Sequence, residues 1–445
     1  MANFFEVSTS SLALVPIAVA VAASCMHFLL QFVSSTRRKS RKTNPKRELQ
    51  STPPRVVADA PTKKKRKGAC PFSSDSKFLV ESDMDIPPAP LDLLESWSDP
   101  AHTDFGKPLA ARWLDAGLSG QDTPGILRAG LKPLRDSKYF LLEEACTIRE
   151  ELLMKEKALN DPARHPSLFV AEDDDECLNA QNEVLELFLE YLPMRYPSEY
   201  QYDLVAKVLR VNALDSTFRV GVDYADRPLE LCERIVQEDL ILMRTARDGD
   251  VGLDGRPTSQ YVMSAAAVVF SFGELEEKLG KPMEFIHAPV PGYPKDLKKT
   301  LDLTFAKLLK VPNPLWRNNW GISPSGALDN PLYGSTGATR RRSMMQVPTI
   351  EEIKSKFLKV EYQTIRRLPT SGYLLFTVRT MADPMSSLAG LPKAASCLAK
   401  SIRGMSTGMR AYKGIANDDV CSVVLEYLDG IGAGDDGDEP KIGQK

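Results

Sequence analysis

Hydrophobic positions along this chain fall into three regimes. The first is a block: residues 11–33 (SLALVPIAVAVAASCMHFLLQFV) contain no Asp, Glu, Lys or Arg. A charge-free run of 23 residues is long enough to span a bilayer with some tilt, and Pro16 is tolerable inside such a helix. The second, residues 34–87, is rich in Ser, Pro and Lys with little apolar pattern, and reads as a basic disordered linker. The third begins near residue 88 and is periodic. Helical spacing appears near 137–157 and 180–193. It recurs across 227–244, where Leu229, Cys232, Val236, Leu240 and Met243 share a face. Strand-like runs occupy 261–270, 283–287, 356–364 and 372–380. The last alternates, with Leu374, Phe376 and Val378 on one side and Tyr373, Thr377 and Arg379 on the other. Pro369-Thr370-Ser371-Gly372 makes the turn before it. A helix is predicted after Tyr293, since Leu297, Leu301, Phe305 and Leu308 line one face. The mixture predicts an α+β domain over 88–400 and a C-terminal tail over 401–445. The acidic, Gly-rich end of that tail is expected to be disordered.

Charge sharpens the division. Residues 37–67 carry 13 Lys or Arg against two acids, while residues 68–445 sum to −12. An acidic folded part disfavours nucleic acid as a partner. Basic residues follow the apolar block and none precedes it, which predicts a single-pass anchor with the N-terminus lumenal or outside and the body cytoplasmic. The expected membrane is the endoplasmic reticulum. Lys63-Lys64-Lys65-Arg66-Lys67 has the composition of a nuclear import signal, but beside an anchor it reads as a juxtamembrane segment held to anionic lipid. Seven scattered cysteines without a CxxC argue against a disulfide scaffold or a zinc site.

The chemistry concentrates between Glu284 and Trp320. His287 precedes a turn stiffened by Pro289 and Pro291, at the end of the run read as a strand. The chain has only four histidines, His27, His102, His165 and His287, so a multi-histidine metal site is disfavoured. An axial haem ligand needs one. From the residues alone His287 is either such a ligand or a core histidine satisfied locally. His165 reads as a surface-loop residue. Arg317, Arg366, Arg367 and Arg379 are candidates to pair with carboxylates of a planar cofactor, or else form ordinary salt bridges. Trp316 and Trp320 either stack on such a cofactor or fill the core. Glu361 lies inside a strand pattern. With its neighbour Tyr362 it offers a carboxylate or an aromatic face to a small cation. Glu238 and Asp239, placed in a helix, read as an exposed pair.

Six blocks occur in order: Val236–Leu240 (VQEDL), Glu277–Pro282 (EKLGKP), Ile286–Tyr293 (IHAPVPGY), Arg317–Trp320 (RNNW), Val360–Pro369 (VEYQTIRRLP) and Leu374–Arg379 (LLFTVR). Together they resemble the haem-binding subunit of the haem-dependent oxidative N-demethylase family. The resemblance implies a PAS-like haem-binding fold with flanking helices, behind the anchor and linker read above. It implies haem b held by His287 as the iron ligand, with Arg317, Trp320, Arg366 and Arg379 around the cofactor. Glu361 and Tyr362 are then the substrate-binding, catalytic pair. The implied activity is oxidative removal of a methyl group from a small methylated amine, using O2 and releasing formaldehyde. Electrons would come from NADPH through the flavin and iron–sulfur centres of a separate reductase. This chain carries neither a dinucleotide fingerprint nor cluster-type cysteine spacing of its own. Two departures stand out. The run Phe270-Ser271-Phe272-Gly273-Glu274 occupies the place of a family tryptophan, and Tyr362 replaces an arginine between Glu361 and Gln363. A PAS-like haem sensor without turnover is the alternative function.

Overall fold

The computed structural model describes residues 129–135, 139–144, 146–271, 275–328 and 347–432. The 11–33 run, the linker, His27, His102, Phe272–Glu274, the Arg340–Arg342 cluster and the acidic end past Gly432 lie outside them. Among the described residues no helix is long and apolar enough to cross a membrane.

The fold is α+β. After β1 (Lys132–Pro133) come α1 (Ile148–Leu159), α2 (His165–Leu168), β2 (Phe169–Ala171) and α3 (Asp175–Arg195). α3 begins where the Asp174 carboxylate accepts the Cys177 amide at 2.7 Å, an N-cap that satisfies one orphan donor. Its Ala180, Val184, Leu187, Phe188 and Tyr191 recur at helical spacing and are buried. A small antiparallel sheet of β3 (Tyr200–Asp203), β4 (Val208–Val211) and β5 (Ser216–Arg219) follows.

The 227–244 segment, expected as one helix, is α4 (Pro228–Ile235) and then β6 (Asp239–Arg244). Every residue of both is buried. Apolar spacing loses its meaning where all sides are covered, so the helical period was accidental. Glu238 and Asp239 are correspondingly not an exposed pair but fully buried.

β7 (Val262–Ala267) and α5 (Leu275–Lys278) lead to α6 (Met283–Ile286). The last replaces the strand expected at 283–287, because a short apolar run does not distinguish the two. α7 (Lys298–Leu303) is flanked by π-helical turns Tyr293–Leu297 and Thr304–Leu308, giving the expected helix after Tyr293. β8 (Leu315–Ser323), α8 (Ile350–Lys354), β9 (Phe357–Arg367) and β10 (Leu374–Pro384) follow. Gly372 closes the β9–β10 turn at φ +71°, a left-handed conformation suited to glycine.

The main sheet has the order β1-β8-β9-β10-β6-β7-β2, and its pairs are antiparallel. Alternation along its strands makes two faces. Ile241, Met243, Met263, Ile365, Leu374 and Val378 pack with Leu297, Leu301 and Phe305 on one. Leu240, Leu242, Ala265 and Leu375 pack with α3 and α4 on the other.

Residues 401–432, expected as part of a tail, are helical: α9 (Pro392–Gly404), α10 (Thr407–Tyr412) and α11 (Asp418–Gly432). Leu398 and Ile402 of α9 and Val424 and Leu428 of α11 share a buried cluster with Val360 and Tyr362. The helices therefore extend the sheet's core beyond the expected boundary.

Candidate functional site

A cavity of about 370 Å³ lies on the face of the sheet covered by α6 and α7. Its size suits a small-molecule or cofactor site. Ile241, Met243, Met263, Leu301, Phe305 and Phe376 form an apolar wall. The polar lining includes His287 from the turn after α6, Lys278 from the end of α5, Arg317 and Asn319 from β8 with Glu361 and Gln363 from β9, and Lys413 from the end of α10.

His287 is held by two contacts. Its Nδ1 lies 2.9 Å from the Met283 carbonyl. A carbonyl only accepts, so Nδ1 carries the proton and Nε2 keeps its lone pair. The ring also stacks on Tyr293, 4.8 Å between centroids and 12° from parallel. Gly292, at φ +85°, turns the chain so that Tyr293 returns beneath the histidine. Burial holds the imidazole below its ordinary pKa, and the Arg317 charge adds to this against the pull of the Met283 carbonyl. The result is a neutral imidazole with one open nitrogen, on a residue that lines the cavity.

β8–β9 register sets the polar wall. Arg317 lies opposite Gln363, and Asn319 opposite Glu361. Asn319 Nδ2 and Gln363 Nε2 both donate to Glu361 Oε2, at 2.9 Å each. Arg317 makes one long contact, 3.5 Å from Nη2 to Asn319 Oδ1, while its Nε is buried without a hydrogen bond. Burial lowers its pKa, with Glu361 only partly compensating. A guanidinium left this short of acceptors in a cavity wall is a site for an anion.

Residues 130–420 match the family described as haem-dependent oxidative N-demethylase, alpha subunit-like. The chain belongs to this family.

The donor set of the cavity in this N-demethylase-family chain is of the kind a haem needs. It offers a neutral imidazole with an open nitrogen for iron, an under-bonded guanidinium for a propionate, and an apolar wall for a porphyrin. Trp320, 5 % exposed, touches the edge of the same cavity, but it lies opposite Val360 and packs with Val360 and Tyr362 on the other face of the sheet. Of the residues singled out in the sequence, His287, Arg317 and Glu361 meet there, with Trp320 only at the edge.

Tyr362, Arg366 and Arg379 do not. Alternation points them to the opposite face of the sheet. Tyr362 Oη donates to the Tyr139 carbonyl at 2.8 Å. The Arg366 guanidinium lies 4.3 Å from the Phe140 ring centroid. Arg379 is paired with Glu151 through contacts of 2.6 and 3.1 Å and donates to the Leu142 carbonyl at 3.3 Å. All three contact the segment from Tyr139 to Leu142, which belongs to no strand of either sheet. Glu238 belongs to the same clamp, with its carboxylate accepting the Leu142 amide at 2.6 Å. His165, expected in a loop, opens α2 and meets Glu230 at 2.9 Å.

Sequence reasoning missed Asn319, Gln363, Met409, Tyr412 and Lys413. The first two were available: once Glu361 is taken as facing a site, Gln363 shares its face and Tyr362 does not. The α10 residues carried no local signal, since a helix far along the chain brings them in.

Proposed function

We propose that this chain is the haem-bearing component of an oxidative N-demethylase for a small methylated amine. Its electrons come from NADPH through the flavin and iron–sulfur centres of a separate reductase. The observation that carries this reading is the pairing of His287, with its fixed and open nitrogen, and Glu361, the one carboxylate among the described residues lining the cavity.

When bound, haem b supplies the redox-active iron at which O2 is reduced. One oxygen atom leaves in formaldehyde and the other in water, with two electrons and two protons consumed. His287 would present its neutral Nε2 to the iron, and Met283 and Tyr293 keep that ring from turning. Arg317 would hold a propionate, and Trp320 would border the site at its edge. Glu361 holds the substrate ammonium. The wall of Ile241, Met243 and Met263 keeps water from the N-methyl group, which raises the worth of each charge contact. Held orientation of this kind contributes several kcal/mol to a barrier.

The test is formaldehyde release from secondary and tertiary methylamines by haem-loaded protein with NADPH and a surrogate reductase. Glu361→Gln should retain haem and lose amine affinity. Haem-loaded, reducible protein that shifts its spectrum with no amine and yields no formaldehyde would transfer the assignment to a sensor. The same proposal tethers the chain to a membrane through residues 11–33. Carbonate extraction should leave full-length protein in the pellet, and release into the supernatant would remove the tether.

A further inference from the structure

Lys413 immediately follows α10. Its carbonyl accepts the Ile322 amide at 2.8 Å, tying the end of the helix to β8. Its side chain is 8 % exposed and lines the cavity, with the ammonium 5.7 Å from the Trp320 ring centroid. The ammonium donates to Asn319 Oδ1, and Asn319 Nδ2 donates in turn to Glu361 Oε2.

This order matters because an asparagine side chain has two faces of opposite character. An ammonium has protons to give and nothing to accept with. Facing it, Asn319 must turn its oxygen toward Lys413, and its NH2 is thereby aimed at Glu361. Arg317 Nη2 also faces this oxygen, but at 3.5 Å, so without Lys413 only a long contact opposes the orientation that sets oxygen against carboxylate oxygen. Gln363 and Asn319 converge on Oε2, and among the described residues nothing donates to Oε1.

We propose that Lys413 is the positioning residue of the amine site: it fixes the Asn319 amide, which locks Glu361 with Oε1 presented to the substrate ammonium. This rests on the amine reading of the cavity. It makes a helix beyond the sheet part of substrate recognition.

The test uses haem-loaded full-length protein with dimethylamine as the probe, titrated by the shift of the Soret band. Lys413→Met and Asn319→Leu should each weaken binding roughly tenfold. The double variant should be no worse than either single one, and Lys413→Arg should recover most of the loss. A lysine that only fills space would give additive losses and tolerate Met. Additive losses, an unchanged affinity in Lys413→Met, or loss of haem with unchanged affinity in the loaded fraction would each overturn the proposal. A second readout needs no amine. The Asn319 side-chain NH2 resonances, assigned by their absence in Asn319→Leu, should shift and exchange faster in Lys413→Met and be restored in Lys413→Arg. If wild-type protein binds no amine, the amine reading falls and these resonances alone decide the positioning role. Their remaining unchanged in Lys413→Met rejects it.

Discussion

Arg317 and Arg379 sit on the same sheet and have opposite fates. Arg379 is fully buried, and each of its guanidinium nitrogens has an acceptor: Leu142 O, Thr380 O, Thr147 Oγ1 and both oxygens of Glu151. Burial works against its charge, but Glu151 and Glu238 outweigh that and raise its pKa. Arg317 has a single long hydrogen bond and an orphaned Nε, and burial lowers its pKa. The first arginine is finished by the fold. The second is left incomplete, as a group awaiting a ligand would be. The difference extends to the faces they occupy, since the Arg379 side clamps residues 139–144 and the Arg317 side opens onto the cavity. An arginine in a sheet is therefore informative through its unmet bonds rather than its presence.

The contrast is most open to attack at His287 and Arg379. His287→Ala should abolish the Soret band, or change it to that of a different ligation, with the urea midpoint of the haem-free protein little moved. His165→Ala should leave the spectrum alone. Arg379→Ala should do the reverse: it strands the Glu151 carboxylate in the interior and should cost about 3–5 kcal/mol in urea unfolding, while the fraction still folded binds haem normally. If Arg379→Ala is stable but haem-deficient, the assignment of the two faces is inverted. Next in size, Arg317→Ala should weaken haem retention by tenfold or more, in line with loss of a charge-assisted hydrogen bond, without destabilising the haem-free protein. Arg366→Met keeps the contact with Phe140 apolar and should leave haem affinity unchanged.

Two pH effects sharpen the same comparison. His287 has a folded-state pKa below its ordinary value, so the neutral form needed for iron persists as pH falls past about 6.5. Haem release on acidification should therefore begin below the ordinary histidine range, and a release midpoint near 6.5 would mean that the ring is not held as described. On the other face, burial and the neighbouring Glu238 raise Glu143 well above the carboxylate range. A raised carboxyl pKa contributes stability at low pH that is lost as pH climbs through the folded value. Glu143→Gln should thus raise the melting temperature more at pH 8 than at pH 5. This is the smallest effect expected, and an equal shift at both pH values would mean that Glu143 is not protonated in the fold.

A side chain's role is legible in the sequence where it is written in its immediate neighbours. The alternation of Leu374, Phe376 and Val378 against Thr377 and Arg379 was legible, and the structure keeps it. That same alternation already set Arg379 away from whatever Leu374 faces, but nothing local said which side held the site. On β9, Glu361 and Tyr362 cannot serve one site as a pair, because adjacent strand residues face opposite ways. The helix read across 227–244 failed for the opposite reason: both α4 and β6 are buried all round, so no exposed face marked the change of period.

The α+β class, the helix after Tyr293, the β9–β10 turn and the family are legible without coordinates, because these rest on local periodicity, on proline and glycine geometry, and on short ordered blocks. The sequence also marks His287, Arg317, Trp320 and Glu361. Packing between distant elements brings His287, Arg317 and Glu361 to one cavity with Trp320 at its edge, while Tyr362, Arg366 and Arg379 clamp the segment from Tyr139 to Leu142 behind it. It alone brings Lys413 to Asn319, 94 residues apart in the chain. Which face of a sheet is covered by a helix, and which is left open around a cavity, depends on how distant elements pack. A strand's own residues carry the alternation but not the choice of side.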